Sequence, residues 1–140
     1  MTTRVSQIFI SNTRERLSPF LEFTSQSISN SFKDCKHKIY NNEELREFIK
    51  LNYPNEVVWA YDKLRPYSYK SDLGRFCLLY KLGGWYFDIG IRSVKGINIE
   101  NDIDMICFRD EQRHSKTSWA ASGGIIWSKP ENSILAAAIE

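Results

Sequence analysis

Apolar and polar positions change period several times along the chain, and each change marks an element. Val5 to Ile10 (VSQIFI) is a short apolar run that predicts the first strand, followed by a loop at Ser11, Asn12 and Thr13. Ser18-Pro19 supplies a cap and a proline for the first helical position, and Phe20, Leu21, Phe23, Thr24, Ile28 and Phe32 repeat behind it at helical spacing. A short strand near Lys36 to Tyr40 follows. Strand, helix and strand at this spacing make a βαβ unit, which predicts parallel strands and a right-handed crossover. Asn41-Asn42-Glu43-Glu44 caps a second helix with acids at its amino end and Leu45, Phe48 and Ile49 on its apolar side. Tyr53-Pro54 ends that helix and begins another carrying Val57, Val58, Tyr61 and Leu64, and Arg65 to Tyr69 reads as a loop.

The stretch from Ser71 to Ile91, SDLGRFCLLYKLGGWYFDIGI, is organised differently. Ser71 reads as a helix cap with Asp72 and Arg75 in the first turn, and Gly83-Gly84 as the stop. Leu73, Phe76, Cys77, Leu78, Leu79, Tyr80 and Leu82 leave almost no polar stripe, so this helix is expected to be buried on most of its surface. Asp72 and Arg75, three apart, share a face. They form either an internal ion pair that orders the helix or part of a ligand site. Trp85, Tyr86, Phe87 and Ile89 make a buried strand that Asp88 interrupts near its carboxyl end, where open α/β sheets bind ligands. Asp72, Arg75 and Asp88 are thus expected to converge.

Beyond Asp88, Met105 to Phe108 reads as a strand and residues 109–118 as a polar loop containing His114, whose titration range suits a base. Two glycines, Gly123 and Gly124, precede the strand Ile125 to Trp127 and permit close approach of a ligand or of another backbone. Ser128-Lys129-Pro130-Glu131 reads as the start of the last helix, and Ile134 to Glu140 as the middle of one, so a fragment whose carboxyl-terminal portion is absent is expected.

Composition narrows the class. A chain of 140 residues predicts one domain over 1–140, α/β with a mostly parallel central sheet. The net charge of +2, with both signs interspersed, lacks the electrostatic footprint of nucleic-acid binding. Cys35, Cys77 and Cys107 are odd in number and widely spaced, which predicts reduced core thiols of a cytoplasmic protein. No apolar run has the length of a membrane span, and the amino terminus does not read as a signal peptide.

The run from Ser71 to Asp88 resembles the sugar-binding DXD region of the glycosyltransferases that include yeast mannosyltransferases, bacterial capsular-polysaccharide transferases and, more distantly, the clostridial glucosylating toxins. Ser71, Asp72, Arg75, Leu79, Tyr80, Gly83, Gly84, Tyr86 and Asp88 fall on the family pattern in register. The resemblance implies a GT-A type nucleotide-sugar-binding fold and retaining transfer of a hexose from a nucleoside-diphosphate sugar to a glycan or lipid-linked glycan. It implies Asp72, Arg75 and Asp88 as catalytic and donor-binding residues, with Ser71 beside them. It also implies Mn²⁺ or Mg²⁺ at Asp88, Ser11 and Asn12 near the nucleotide base, and Ser122 near the sugar or acceptor. Peripheral association with a membrane stays open. The second carboxylate of the DXD pattern is replaced by Gly90, which offers a metal only a backbone carbonyl. Arg92 and Lys95 then become candidates to meet a diphosphate. Three readings follow: a transferase, a degenerate domain that binds nucleotide sugar without turnover, and a structural domain in which Asp72 and Arg75 merely pair.

Overall fold

The computed structural model describes residues 3–12, 16–110 and 120–140. Strand β1 (Arg4–Ile8) leads through helix α1 (Pro19–Ser31) to β2 (Lys36–Tyr40), and the two strands pair in parallel as the βαβ reading requires. Ser18 caps α1 by accepting from the Leu21 amide, with Pro19 at the first position. Helix α2 (Asn42–Asn52) opens on a capping box in which Asn41 and Glu44 satisfy each other's backbone amides. Helices α3 (Asn55–Lys63) and α4 (Tyr67–Leu82) then return the chain to β3 (Gly84–Phe87), which lies parallel to β1. Strands β4 (Met105–Arg109) and β5 (Ala121–Ser128) and helix α5 (Ser133–Ile139) complete the order.

The sheet order is β2-β1-β3-β5-β4. Because β5 opposes both β3 and β4, four of the five strands share one direction and β5 alone runs against them. Helices cover both faces. Trp85 and Phe87 of β3 point to the α1 face, where they pack with Val5, Ile28 and Phe32. Tyr86, between them, points to the opposite face with Leu78, Leu79 and Leu135. This period-two alternation sends Tyr86 and Asp88 to the side of the sheet that carries α4.

Four expectations are corrected. Helix α4 does not start at Ser71. It starts at Tyr67 behind Pro66, whose carbonyl accepts from the Tyr69 and Lys70 amides, so Ser71 and Asp72 lie in its second turn. The residues 67–69 read as loop are therefore helical. The last helix begins at Ser133 with Asn132 as its cap, because Glu131 adopts φ 59° and donates its amide to the Tyr80 carbonyl, which turns the chain before a helix can form. The glycine pair lies inside β5 rather than ahead of it. Of the cysteines, all unpaired, only Cys77 is buried, and Cys107 is exposed on the edge strand β4.

Gly83 and Gly84 are required where they stand. Gly83 ends α4 at φ 63°, and a Cβ there would lie 2.7 Å from the Pro130 ring. At Gly84, with φ 90°, a Cβ would lie 2.2 Å from the Arg4 carbonyl oxygen, so only glycine lets β3 sit against β1.

Candidate active site

The order in which strands are added to the sheet reverses at β1, with β2 on one side of it and β3 on the other. From β1 the chain crosses one face of the sheet to β2, then the other face to β3, so the carboxyl ends of β1 and β3 border the crevice where such sheets bind ligands. Asp88 stands at the end of β3, and Ser11 and Asn12 follow β1.

Arg75 is the centre of the site. Its side chain is only 8% exposed, yet it ion-pairs with two carboxylates that are about half exposed: Nη2 with Asp72 Oδ1 at 2.8 Å and Nη1 with Asp88 Oδ1 at 3.4 Å. Nε donates to the Ser71 carbonyl at 3.2 Å, and Nη1 also donates to the Gly123 carbonyl. The guanidinium lies over the Tyr86 ring, 4.8 Å from its centroid. Nε, Nη1 and Nη2 each thus meet an oxygen of the protein, which engages four of the five N–H donors. The expected Asp72–Arg75 pair therefore exists, and it extends to Asp88.

Tyr86 completes the arrangement. Its hydroxyl donates to Asp88 Oδ1 at 2.9 Å. Burial pushes the phenol far above its ordinary range, the Asp88 charge adding and the Arg75 charge opposing, so the group stays protonated and remains a donor. Sequence reasoning placed Tyr86 on the family pattern without a role. The signal was present, since Tyr86 and Asp88, two apart on a strand, share a face.

The glycine pair of β5 forms the wall of the site. A Cβ at Gly123 would come within 3.0 Å of Arg75 Nη1, and one at Gly124 within 2.8 Å of Asp88 Oδ2. Backbone groups lock the wall in place, with the Asp88 amide donating to the Gly124 carbonyl at 2.8 Å. Ser122 stands at the same place, its hydroxyl accepting from the Gly124 amide at 3.3 Å.

The remaining candidates divide. Asn12 is tied to the start of α4, its Oδ1 accepting from the Tyr67 hydroxyl, and neighbouring Ser11 is half-buried. Ser71 meets Arg75 through its carbonyl. Gly90 is exposed in the turn after Asp88. Arg92 stacks on Phe23 of α1, 5.3 Å from the ring centroid, and the segment carrying it runs along that helix, where the Ser93 amide donates to Ser27 Oγ. His114 lies outside the described residues.

The family's metal does not fit this donor set. Asp88 is the single carboxylate retained from the DXD pair, and its Oδ1 already takes Tyr86 and Arg75. Among the described residues no cluster of three His, Cys, Asp or Glu side chains is placed to hold an ion. Position 90 imposes nothing on the residue there: a Cβ would meet no atom within 4 Å.

A mostly parallel open sheet with helices on both faces and acidic side chains at the β1/β3 crevice defines a GT-A-like fold. The fold is similar to that of a solved glycosyltransferase, PaToxG: 99% of this chain aligns with 58% of that one at TM-score 0.68 and 15% identity. The chain belongs to the family described as the glycosyltransferase sugar-binding region containing the DXD motif, which matches residues 19–114. It is also similar to an uncharacterized glycosyltransferase of Acanthamoeba polyphaga mimivirus, 26% identical over 99 residues that make up 71% of this chain and 39% of the viral protein. The chain therefore spans well under two thirds of either relative's length. Among the described residues no helix is long and apolar enough to cross a membrane.

Proposed function

We propose that this chain binds a nucleoside-diphosphate sugar at the Asp72–Arg75–Asp88 cluster and transfers the hexose to a hydroxyl of a glycan or lipid-linked glycan acceptor. In the transfer the bond from the anomeric carbon to the diphosphate oxygen breaks with its electron pair leaving on the phosphate, and the acceptor oxygen bonds to that carbon and releases its proton. Positive charge grows on the sugar ring as the first bond lengthens.

The observation that carries this reading is a charge surplus at the crevice: one buried guanidinium holds two half-exposed carboxylates, leaving a net charge of −1 beside the open end of the sheet. A fixed negative charge about 5 Å from a developing cation is worth about 3 kcal/mol at an effective dielectric of about 20. Asp72 and Asp88 would hold sugar or ribose hydroxyls, since each is exposed enough to accept from a ligand. The protein engages four of the five Arg75 N–H donors, so the main role of this side chain would be to orient the two carboxylates. Family resemblance implies retention of configuration.

A second reading is favoured by Gly90: a domain that binds the nucleotide sugar and turns it over poorly, for want of the second carboxylate. Calorimetry with UDP-glucose and GDP-mannose, with and without Mn²⁺, separates the two when combined with an assay of sugar release. Binding with turnover supports the transferase, binding without turnover the second reading, and no binding of either nucleotide refutes both.

A further inference from the structure

We propose that Gln7 and Thr24 are positioning residues that hold the Asp88 turn from behind, through a hydrogen-bonded relay crossing the sheet. The proposal deepens the donor-site reading above and rests on it for its consequence.

Gln7 lies near the carboxyl end of β1, an interior strand between β2 and β3, and is completely buried. A neutral amide in that position is costly unless both its ends are satisfied, and an aliphatic side chain would fill the same space without that demand. Both ends are satisfied in one direction only. Gln7 Oε1 accepts from the Ser25 hydroxyl at 3.1 Å and lies 2.8 Å from His37 Nε2. Two donors on the oxygen turn the amide nitrogen the other way, where it reaches the Asp88 carbonyl at 3.4 Å.

His37 is held in the matching tautomer. Its Nδ1 lies 2.5 Å from the Ser29 hydroxyl, and burial lowers its pKa, favouring the neutral ring. Ser29 then donates to Nδ1 while Nε2–H donates to Gln7. The chain of donors runs from α1 through β2 and β1 to the backbone of the residue that carries the site carboxylate.

The next carbonyl is held from a different element. Thr24, also buried, donates its hydroxyl to the Ile89 carbonyl at 2.7 Å, shorter than its alternative contact with Leu21 in its own helix. Ser27, one helical turn on, accepts from the Ser93 amide at 2.9 Å. Two consecutive carbonyls just past the end of β3 are thus held by side chains, Ile89 by Thr24 and Asp88 by Gln7 together with the Ile91 amide, which donates to it at 3.0 Å. With the Asp88 amide held by Gly124 and its carbonyl by Gln7, both peptide planes that flank the Asp88 Cα are restrained, and with them the direction in which its side chain leaves toward Arg75 and Tyr86; Thr24 restrains the next plane of the turn. A helix packed on a sheet needs apolar residues at 24 and 25 for stability alone; threonine and serine there are explained by what they hold.

The test is amide hydrogen–deuterium exchange of residues 88–93 in the ligand-free chain, read by mass spectrometry with α2 as internal reference. Thr24→Val keeps the side-chain shape and removes the hydroxyl, Thr24→Ser restores it, and Gln7→Met removes the amide. The expected result is exchange at 88–93 about tenfold faster or more in Thr24→Val and Gln7→Met, parental in Thr24→Ser, and unchanged in α2. Calorimetric affinity for UDP-glucose or GDP-mannose, whichever the parent binds, should fall in the same two variants and recover in Thr24→Ser. Should Gln7→Met fail to fold, the Thr24 pair decides. Unchanged exchange at 88–93, an equal rise in α2, or a loosened turn with parental affinity would each overturn the proposal. If the parent binds neither nucleotide sugar, the donor-site reading fails, while the exchange pattern still decides whether these residues hold the turn.

Discussion

Replacing Gly124 by alanine separates the position of the Asp88 carboxylate from the stability of the fold. The added Cβ would stand 2.8 Å from Asp88 Oδ2, 3.5 Å from its Cγ and 3.6 Å from Ser122 Oγ. Only the first contact is impossible, and the atom that must move ends a short, half-exposed side chain. A displacement of roughly half an ångström relieves it at the cost of an off-rotamer side chain, about 0.5–1.5 kcal/mol. Alanine in a strand recovers about 0.5–1 kcal/mol relative to glycine by restricting the unfolded chain. Gly124 does not adopt a positive φ, and its carbonyl can keep the Asp88 amide, so the net change in stability should be within about 1 kcal/mol. The carboxylate, however, turns away from Tyr86 and Arg75. Loss of one charged hydrogen bond to a donor hydroxyl, about 1.5–3 kcal/mol, corresponds to roughly 10-fold to 150-fold weaker binding. A thermal melt and calorimetry with UDP- and GDP-sugars read the two quantities separately. A Gly124→Ala chain that melts like the parent and binds the same nucleotide sugar with parental affinity would remove Asp88 from the donor site.

Three further outcomes are expected. Gly90→Asp should create Mn²⁺-dependent nucleotide binding several-fold tighter than the parent's, because space at that position is open; unchanged response to EDTA would show that the missing carboxylate is not what limits metal capture. Asp88→Asn should lower transfer about a hundredfold, in line with the roughly 3 kcal/mol of charge stabilisation it removes, with little loss in melting temperature because Arg75 keeps Asp72; parental turnover in the folded variant would dismiss the mechanism. Burial lowers the His37 pKa in the fold below its unfolded value, so its contribution to stability is present above about pH 6.5 and lost as pH falls from there through the folded pKa. Denaturant midpoints should therefore fall on acidification and fall less in His37→Gln; identical pH profiles would place the acid sensitivity elsewhere.

The legible parts of this fold were those written in local period. Alternation in WYFD put Trp85 and Phe87 on one face and Tyr86 and Asp88 on the other, and the capping residues around Ser18 and Asn41 marked α1 and α2 where they occur. The start of α4 was misread because Ser71 is a strong capping type and Pro66 a weak one, while the helix in fact begins on the proline's carbonyl. Gly123 and Gly124 read as a place ahead of a strand where a ligand or another backbone could approach closely, without saying which groups approach. Their role depends on Arg75 and Asp88, dozens of residues away, and no local pattern carries that information. Gln7 was hidden for the same reason: a polar residue inside an apolar strand acquires meaning only when its partners on α1, on β2 and beyond β3 are brought to it.

The choice between a structural ion pair and a ligand site turns on counting charge. An arginine buried to this degree needs one carboxylate to offset its desolvation, and Asp72, at 2.8 Å, supplies it within the same helix. A second carboxylate, from the residue that follows β3, adds repulsion with the first and is itself held by a tyrosine hydroxyl and spared by a glycine wall. Stability gains less from this contact than from the first, because Asp88 is itself half-exposed and the separation is the longer of the two, 3.4 Å against 2.8 Å. The surplus charge is directed at the crevice where β1 and β3 part. A group bearing hydroxyls and developing positive charge, as the glycosyl does in the transfer proposed above, is what such an arrangement would complement.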